Sequence, residues 1–135
     1  MDEKAITLSF PGGLRVDANY KGFVIHTDQP VYEGGTNTAP APFDLFLASL
    51  ATCSGYYVLA FCVERKIPME GLAVVMKREK DPETHMIAKV RIEITLPQAF
   101  PEKYKDAVVR AVDQCAVRRH LVKPPAIEIA AEIKR

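Results

Sequence analysis

Charge of one sign is what this sequence most lacks. Its 135 residues carry 18 Lys and Arg against 17 Asp and Glu, for a formal net charge of +1. Bulk electrostatics therefore recruit no polyanion. The short basic runs KREK at 77–80 and RRHLVK at 118–123 read as solvated faces, so no nucleic-acid partner is expected. No internal repeat and no low-complexity linker interrupts the chain, and the first residues, MDEKAITLSF, have acidic groups in place of an apolar leader. Histidine is equally scarce. His26, His85 and His120 are scattered without ligand spacing, so no metal and no other cofactor is expected. With only three cysteines and no leader, the chain is expected in a reducing cytoplasm, where a permanent disulfide framework is excluded and free or catalytic thiols are not.

What is present is a hydrophobic fraction of 48%, enough for one domain over 1–135 with its own core. Three short runs rich in β-formers, AITLSF, LRVDAN and GFVIHT, are separated by the turns PGG and YKG and predict a meander. Residues 28–43, DQPVYEGGTNTAPAPF, predict a long loop ending at a helix start. A helix over 43–66 follows and stops at IPMEG. LAVVMKRE and MIAKVRIEITL predict two strands joined by KDPET, the second alternating Val90, Ile92 and Ile94 with charged residues. PEKYKDAVVRAVDQC predicts a second helix whose apolar face runs from Tyr104 to Cys115, and AIEIAAEI predicts a last strand. The order is βββ-α-ββ-α-β, an α+β fold with antiparallel pairing.

The helix from 43 is unusual. Residues 45–63 are apolar nearly all the way round and approach the length of a membrane span. They include Ser49, Thr52, Ser54 and Gly55 and lack flanking anchors, so a buried helix of a soluble protein is expected and not a membrane segment. A helix apolar on every side needs cover on every side, and one small sheet covers one. A second chain is the expected source of the rest.

This helix carries two of the three thiols. Cys53 and Cys62 are about half a turn out of phase and point to opposite sides. Cys62, between Phe61 and Val63, reads as core. Cys53 shares its face with Ser49, Tyr56 and Tyr57, a more polar and aromatic neighbourhood. A reactive cysteine must be a thiolate, which requires a positive field. Cys53 is too deep in its helix to feel the helix start, so the field must come from Arg15, Arg118 or Arg119. Cys115 is expected at the end of the second helix, where partial negative charge disfavours a thiolate. It would serve poorly as first nucleophile and acceptably as second partner.

The loop and helix GGTNTAPAPFDLFLASLATC, followed about sixty residues later by CAVRRHL, resemble the OsmC/Ohr family of thiol-dependent hydroperoxide reductases. The resemblance implies antiparallel sheets wrapped around long central helices of an intertwined homodimer, with active sites at its interface. It implies that Cys53 attacks an organic hydroperoxide and that Cys115 resolves the resulting sulfenic acid as a disulfide. A dithiol reductant, lipoyl-type among the candidates, would restore the enzyme. The sequence departs from the organic-hydroperoxide branch at three places. Phe43 stands where that branch has glutamate, with Asp44 next to it either as substitute or as an ordinary first-turn acid. Arg15 is displaced by one residue from its place after the glycine pair, which in a strand reverses its face. Ala116 replaces a proline common after the second cysteine. Phe43, Phe46, Tyr56 and Tyr57 are the candidate lining of an apolar substrate pocket, although core packing accounts for the same residues. The alternatives to a peroxidase are a protein of this fold that binds a small ligand at the dimer interface, and a redox sensor.

Overall fold

A computed structural model describes residues 4–135, which divide into two compact units meeting in sequence after Ala48. In the first, β1 (Thr7–Gly12), β2 (Arg15–Tyr20) and β3 (Phe23–Thr27) form the antiparallel meander expected from their β-formers. The β2–β3 hairpin closes with Tyr20 opposite Phe23, leaving Lys21 and Gly22 as a two-residue turn. Both have positive φ (52° and 82°), the geometry whose twist matches that of the flanking strands.

The loop after β3 is held by one carboxylate. Asp28, 1% exposed, accepts the backbone N–H of Gln29 at Oδ1 (2.7 Å). Its Oδ2 takes the hydroxyls of Thr36 and Thr38 (both 2.7 Å) and the Thr38 N–H (3.0 Å). These donors hold the carboxyl well below the usual carboxylate range. The Thr38 hydroxyl contributes most, then the Thr38 N–H and the Thr36 hydroxyl, against an opposing effect of burial. A loop rich in Pro and Gly is thereby fixed up to the start of the long helix, α1 (Pro42–Glu64).

In the second unit α1 continues to a stop that the sequence signals only partly. Lys66 takes positive φ (55°), its N–H bonds to the Val63 carbonyl (3.1 Å), and the Ile67 N–H reaches back to Cys62 (2.9 Å). This pair of bonds satisfies the last carbonyls and turns Ile67 onto the core, with Pro68 just beyond. β4 (Ala73–Lys80) and β5 (Ile87–Thr95) pair antiparallel, with Val74 opposite Ile94 and Met76 opposite Ile92. The core of this unit is Val58, Phe61, Cys62, Ile67, Val108 and Val112, packed with Val74, Ile94, Leu96, Phe100 and Tyr104. Each fully buried aliphatic side chain contributes about 1.5–3 kcal/mol.

Two sequence expectations change. The second helix is not continuous to Cys115. After a single 3-10 turn, α2 runs over Lys105–Val112, the chain turns, and α3 covers Ala116–Val122. The expected final strand does not form within the chain. Residues 124–135 have no regular structure, and Ile127, Ile129 and Ile133 are 84%, 94% and 78% exposed. A strand requires a partner edge for its N–H and C=O groups, and no edge among the described residues takes it. Within one chain α1 is covered on one side. Its buried residues, Leu50, Ser54, Val58, Phe61 and Cys62, lie on one face, and Tyr56, Leu59 and Val63 remain exposed. By length and composition alone this helix would also cross a membrane.

Candidate functional site

Cys53 and Cys62 lie on α1 in contrasting surroundings. Cys62 is fully buried in the core, and burial pushes its thiol up, with a smaller opposing effect of Arg65. Cys53 is half-buried, and its thiol interacts with that of Cys115, which is itself fully buried. Both thiols are free.

The turn between α2 and α3 creates this contact. The last turn of α2 tightens, with the Cys115 N–H bonded to the Val112 carbonyl (3.0 Å). Cys115 then leaves helical geometry (φ −49°, ψ 125°), and the Arg119 N–H returns to its carbonyl (2.9 Å) to start α3. The first amides of a helix have no partner in the helix. Here those of Ala116 and Val117 favour the ionised form of the Cys53 thiol. Burial pushes the Cys53 thiol up. The Cys115 hydrogen bond, the Val117 and Ala116 amides and the Arg119 guanidinium outweigh it, and the net shift is downward. For Cys115, burial and the bond to Cys53 both push upward. The two thiols are therefore unlike: Cys53 releases its proton more readily than Cys115.

Cys115 is thus the residue before a helix, not the last of one, which corrects the expected helix-end field. The charge of Arg119, one of the three candidate arginines, acts on Cys53. Arg118 pairs with Asp113 at 3.3 Å. Arg15 lies in the first unit, at the start of β2 opposite Gly12. Its guanidinium donates to the carbonyls of Gly12 and Pro11 (both 3.3 Å) and lines a cavity of about 240 Å³ with Asp17, His26, Thr27 and Thr38.

Asp44 closes the start of α1. Its carboxylate accepts the Ala41 N–H (3.1 Å), and its own N–H donates to the Ala41 carbonyl (2.9 Å). The candidate aromatics form two pairs. Phe43 and Phe46 stack with centroids 5.5 Å apart, and Phe43 lines a first-unit cavity of about 500 Å³ with Tyr32, Asn37 and Asp44. Tyr56 and Tyr57 meet edge-to-face at 5.4 Å over an open second-unit groove with Phe61, Arg65, Arg110 and Gln114. Among the described residues no three His, Cys, Asp or Glu side chains cluster as a metal site would.

A family model for OsmC-like proteins matches residues 35–130 of this sequence, well over half its length. The chain belongs to the OsmC-like family. The matched stretch includes both Cys53 and Cys115. Comparison with curated proteins gave no match. Solved structures similar to this OsmC-like chain include a Psychrobacter arcticus protein provisionally described as an osmotic stress induced and detoxification response protein. It is 24% identical with a TM-score of 0.68, over 84% of this chain and 85% of the other. An organic hydroperoxide resistance protein OsmC from Legionella pneumophila is 18% identical, with a TM-score of 0.51 over 87% and 88% of the two chains. A Vibrio cholerae protein provisionally described as an organic hydroperoxide resistance protein has captopril bound in one of its active sites. It is 19% identical, with a TM-score of 0.56 over 89% and 85%. At these identities the likeness is one of fold.

The site features absent from the sequence reading are the Ala116 and Val117 amides. The residue that would have signalled a helix start, a proline after the second cysteine, is Ala116 here. A proline there would have no N–H to give, so this departure leaves an amide that favours the Cys53 thiolate.

Proposed function

We propose that this OsmC-like protein is a cytoplasmic, thiol-dependent peroxidase for organic hydroperoxides, working as a homodimer. The reading is supported chiefly by the interaction of two thiols of opposite character, Cys53 lowered and Cys115 raised. The Cys53 thiolate attacks the nearer peroxide oxygen. An S–O bond forms, the O–O bond breaks, and the leaving alkoxide takes a proton to become an alcohol. The Cys115 sulfur then displaces hydroxide from the Cys53 sulfenic acid, giving a disulfide and water. A dithiol, lipoyl-type among the candidates, returns the two electrons and leaves as its own disulfide. Arg119 and the two amides stabilise the thiolate. Arg15 and Asp44 are the proposed residues of the first unit, and Phe43, Phe46, Tyr56 and Tyr57 the proposed apolar lining.

A second copy is the proposed cover for Tyr56, Leu59 and Val63 of α1 and for the exposed isoleucines of 124–135. Apolar surface of this extent is uncommon on a monomer.

The test is intact mass after one equivalent of cumene hydroperoxide, with peptide mapping. A chain two hydrogens lighter, with Cys53 joined to Cys115, is the expected result. Unmodified thiols would reject the proposal. A second reading, ligand binding or redox sensing without turnover, draws on Asp44, whose carboxylate is engaged by the Ala41 N–H at the helix start. Turnover of tert-butyl hydroperoxide with a dithiol separates the two.

A further inference from the structure

We propose that the first unit holds a binding site for a small organic monocarboxylate, built on Arg15, Asp17 and His26. Alternation along β2 puts Arg15 and Asp17 on one face of the meander, and Asp17 is directly opposite His26 of β3. With Pro11, Thr38 and Ala39 these three line the cavity of about 240 Å³. That volume exceeds the roughly 30 Å³ share of one water several-fold. Its loop wall is fixed, because Asp28 accepts both the hydroxyl and the N–H of Thr38.

The charges of this cavity select the ligand. His26 Nδ1 is 2.9 Å from Asp17 Oδ1, and the two side chains are 67% and 15% exposed, so the acid is enclosed and the imidazole is at the rim. A carboxylate only accepts, so Nδ1 carries a proton and Nε2 is left on the far side of the ring. The Arg15 guanidinium donates to the carbonyls of Gly12 and Pro11 and pairs with no acid among the described residues. Two of its five N–H groups are thereby used, which leaves three. With Nε2 unprotonated, Arg15, Asp17 and His26 sum to no net charge, and a proton at Nε2 adds one positive charge. Pro11, Thr38 and Ala39 bring none, and Asp28 behind Thr38 is held by its own donors. A planar carboxylate fits the guanidinium fork, accepts from the protonated Nε2 and balances that charge. A phosphate dianion brings a second negative charge next to Asp17 that nothing in the cavity offsets.

The experiment titrates the full chain with sodium lactate, and separately with inorganic phosphate at equal ionic strength, following the imidazole signals of the three histidines by NMR. Lactate should shift His26 saturably in the direction of protonation, with a Kd on the order of 1 mM near pH 6.5. His85 and His120 should not move. Because binding recruits a proton to His26, affinity should fall about three- to tenfold by pH 7.5. Arg15→Gln should bind lactate at least tenfold more weakly. Arg78→Gln, which removes the same charge from an exposed position on β4, should bind it as wild type does.

No saturable shift of His26 in the wild-type chain would overturn the proposal, as would an equal loss of affinity in Arg78→Gln. Phosphate binding tighter than lactate would overturn the choice of a monocarboxylate. Arg15 also ties the turn between β1 and β2 through its two carbonyl bonds. If Arg15→Gln does not fold, the wild-type His26 titration and its pH dependence decide alone. No arm uses Cys53 or a hydroperoxide, so this site and the peroxidase reading stand or fall separately.

Discussion

Replacing Cys62 by serine tests whether the two cysteines of α1 divide their labour between packing and chemistry. Cys62 is fully buried beside Val58, Phe61 and Val108. Exchanging sulfur for a smaller, polar oxygen loses about 1 kcal/mol of apolar burial. The new hydroxyl must also find an acceptor, or its desolvation adds about 1–3 kcal/mol. The same helix supplies a precedent: buried Ser54 donates to the Leu50 carbonyl one turn back at 2.8 Å. A serine at 62 has the Val58 carbonyl at the same offset, with a lone pair beyond its helical bond. The net cost should then be about 1–2 kcal/mol, close to that of Cys62→Ala. In urea this corresponds to a midpoint lowered by about 0.5–1 M, measured at fixed protein concentration. Hydroperoxide turnover per folded chain should equal wild type, because the Cys62 face is opposite that of Cys53. A folded Cys62→Ser without turnover would refute the division. A loss above about 4 kcal/mol would refute the proposed carbonyl partner.

Cys53→Ser should abolish turnover of tert-butyl hydroperoxide, since an alcohol is too weakly acidic to attack; retained activity would end the peroxidase proposal. Cys115→Ser should allow one attack and leave Cys53 as a sulfenic acid, detected by mass as one added oxygen and prone to further oxidation. Asp28→Asn should loosen residues 28–38, seen as faster amide exchange, because its NH₂ must face a backbone N–H of either Gln29 or Thr38. The native Asp28 carboxyl is lowered, so its stabilisation is present above the unfolded value of about 3.9 and is lost as pH falls through the acid range. The acid limb of a wild-type stability–pH curve should therefore flatten in Asp28→Asn. Light scattering should give twice the 15.0 kDa mass of one chain at micromolar concentration, and a folded monomer would refute the dimer.

Local pattern made much of this protein legible in advance. The runs AITLSF, LRVDAN and GFVIHT, cut by glycine turns, specify a meander because each is rich in β-formers and each turn admits positive φ. The half-turn phase of Cys53 and Cys62 follows from helical geometry alone, and so does the assignment of Cys62 to the core. The motif pair around Cys53 and Cys115 carried the family. The C-terminal isoleucines, in contrast, have strand chemistry without a strand, because pairing is a property of two segments and not of one.

The site itself depended on a break that periodicity conceals. Tyr104, Ala107, Val108, Ala111, Val112 and Cys115 keep a single helical spacing, yet the backbone leaves the helix after Val112 and begins another at Ala116. An apolar stripe records which side chains face the core and is silent on whether the hydrogen bonds between them continue. Ala116, in the place of a helix-starting proline, removed the remaining local cue. What sequence determined was the meander, the long helix, the β4–β5 pair and the opposed faces of α1, all consequences of residue chemistry and local geometry. Which thiol is the more acidic was decided by tertiary structure alone, since the groups that lower Cys53 are Cys115, two backbone amides and the charge of Arg119, more than sixty residues away along the chain and brought together by folding.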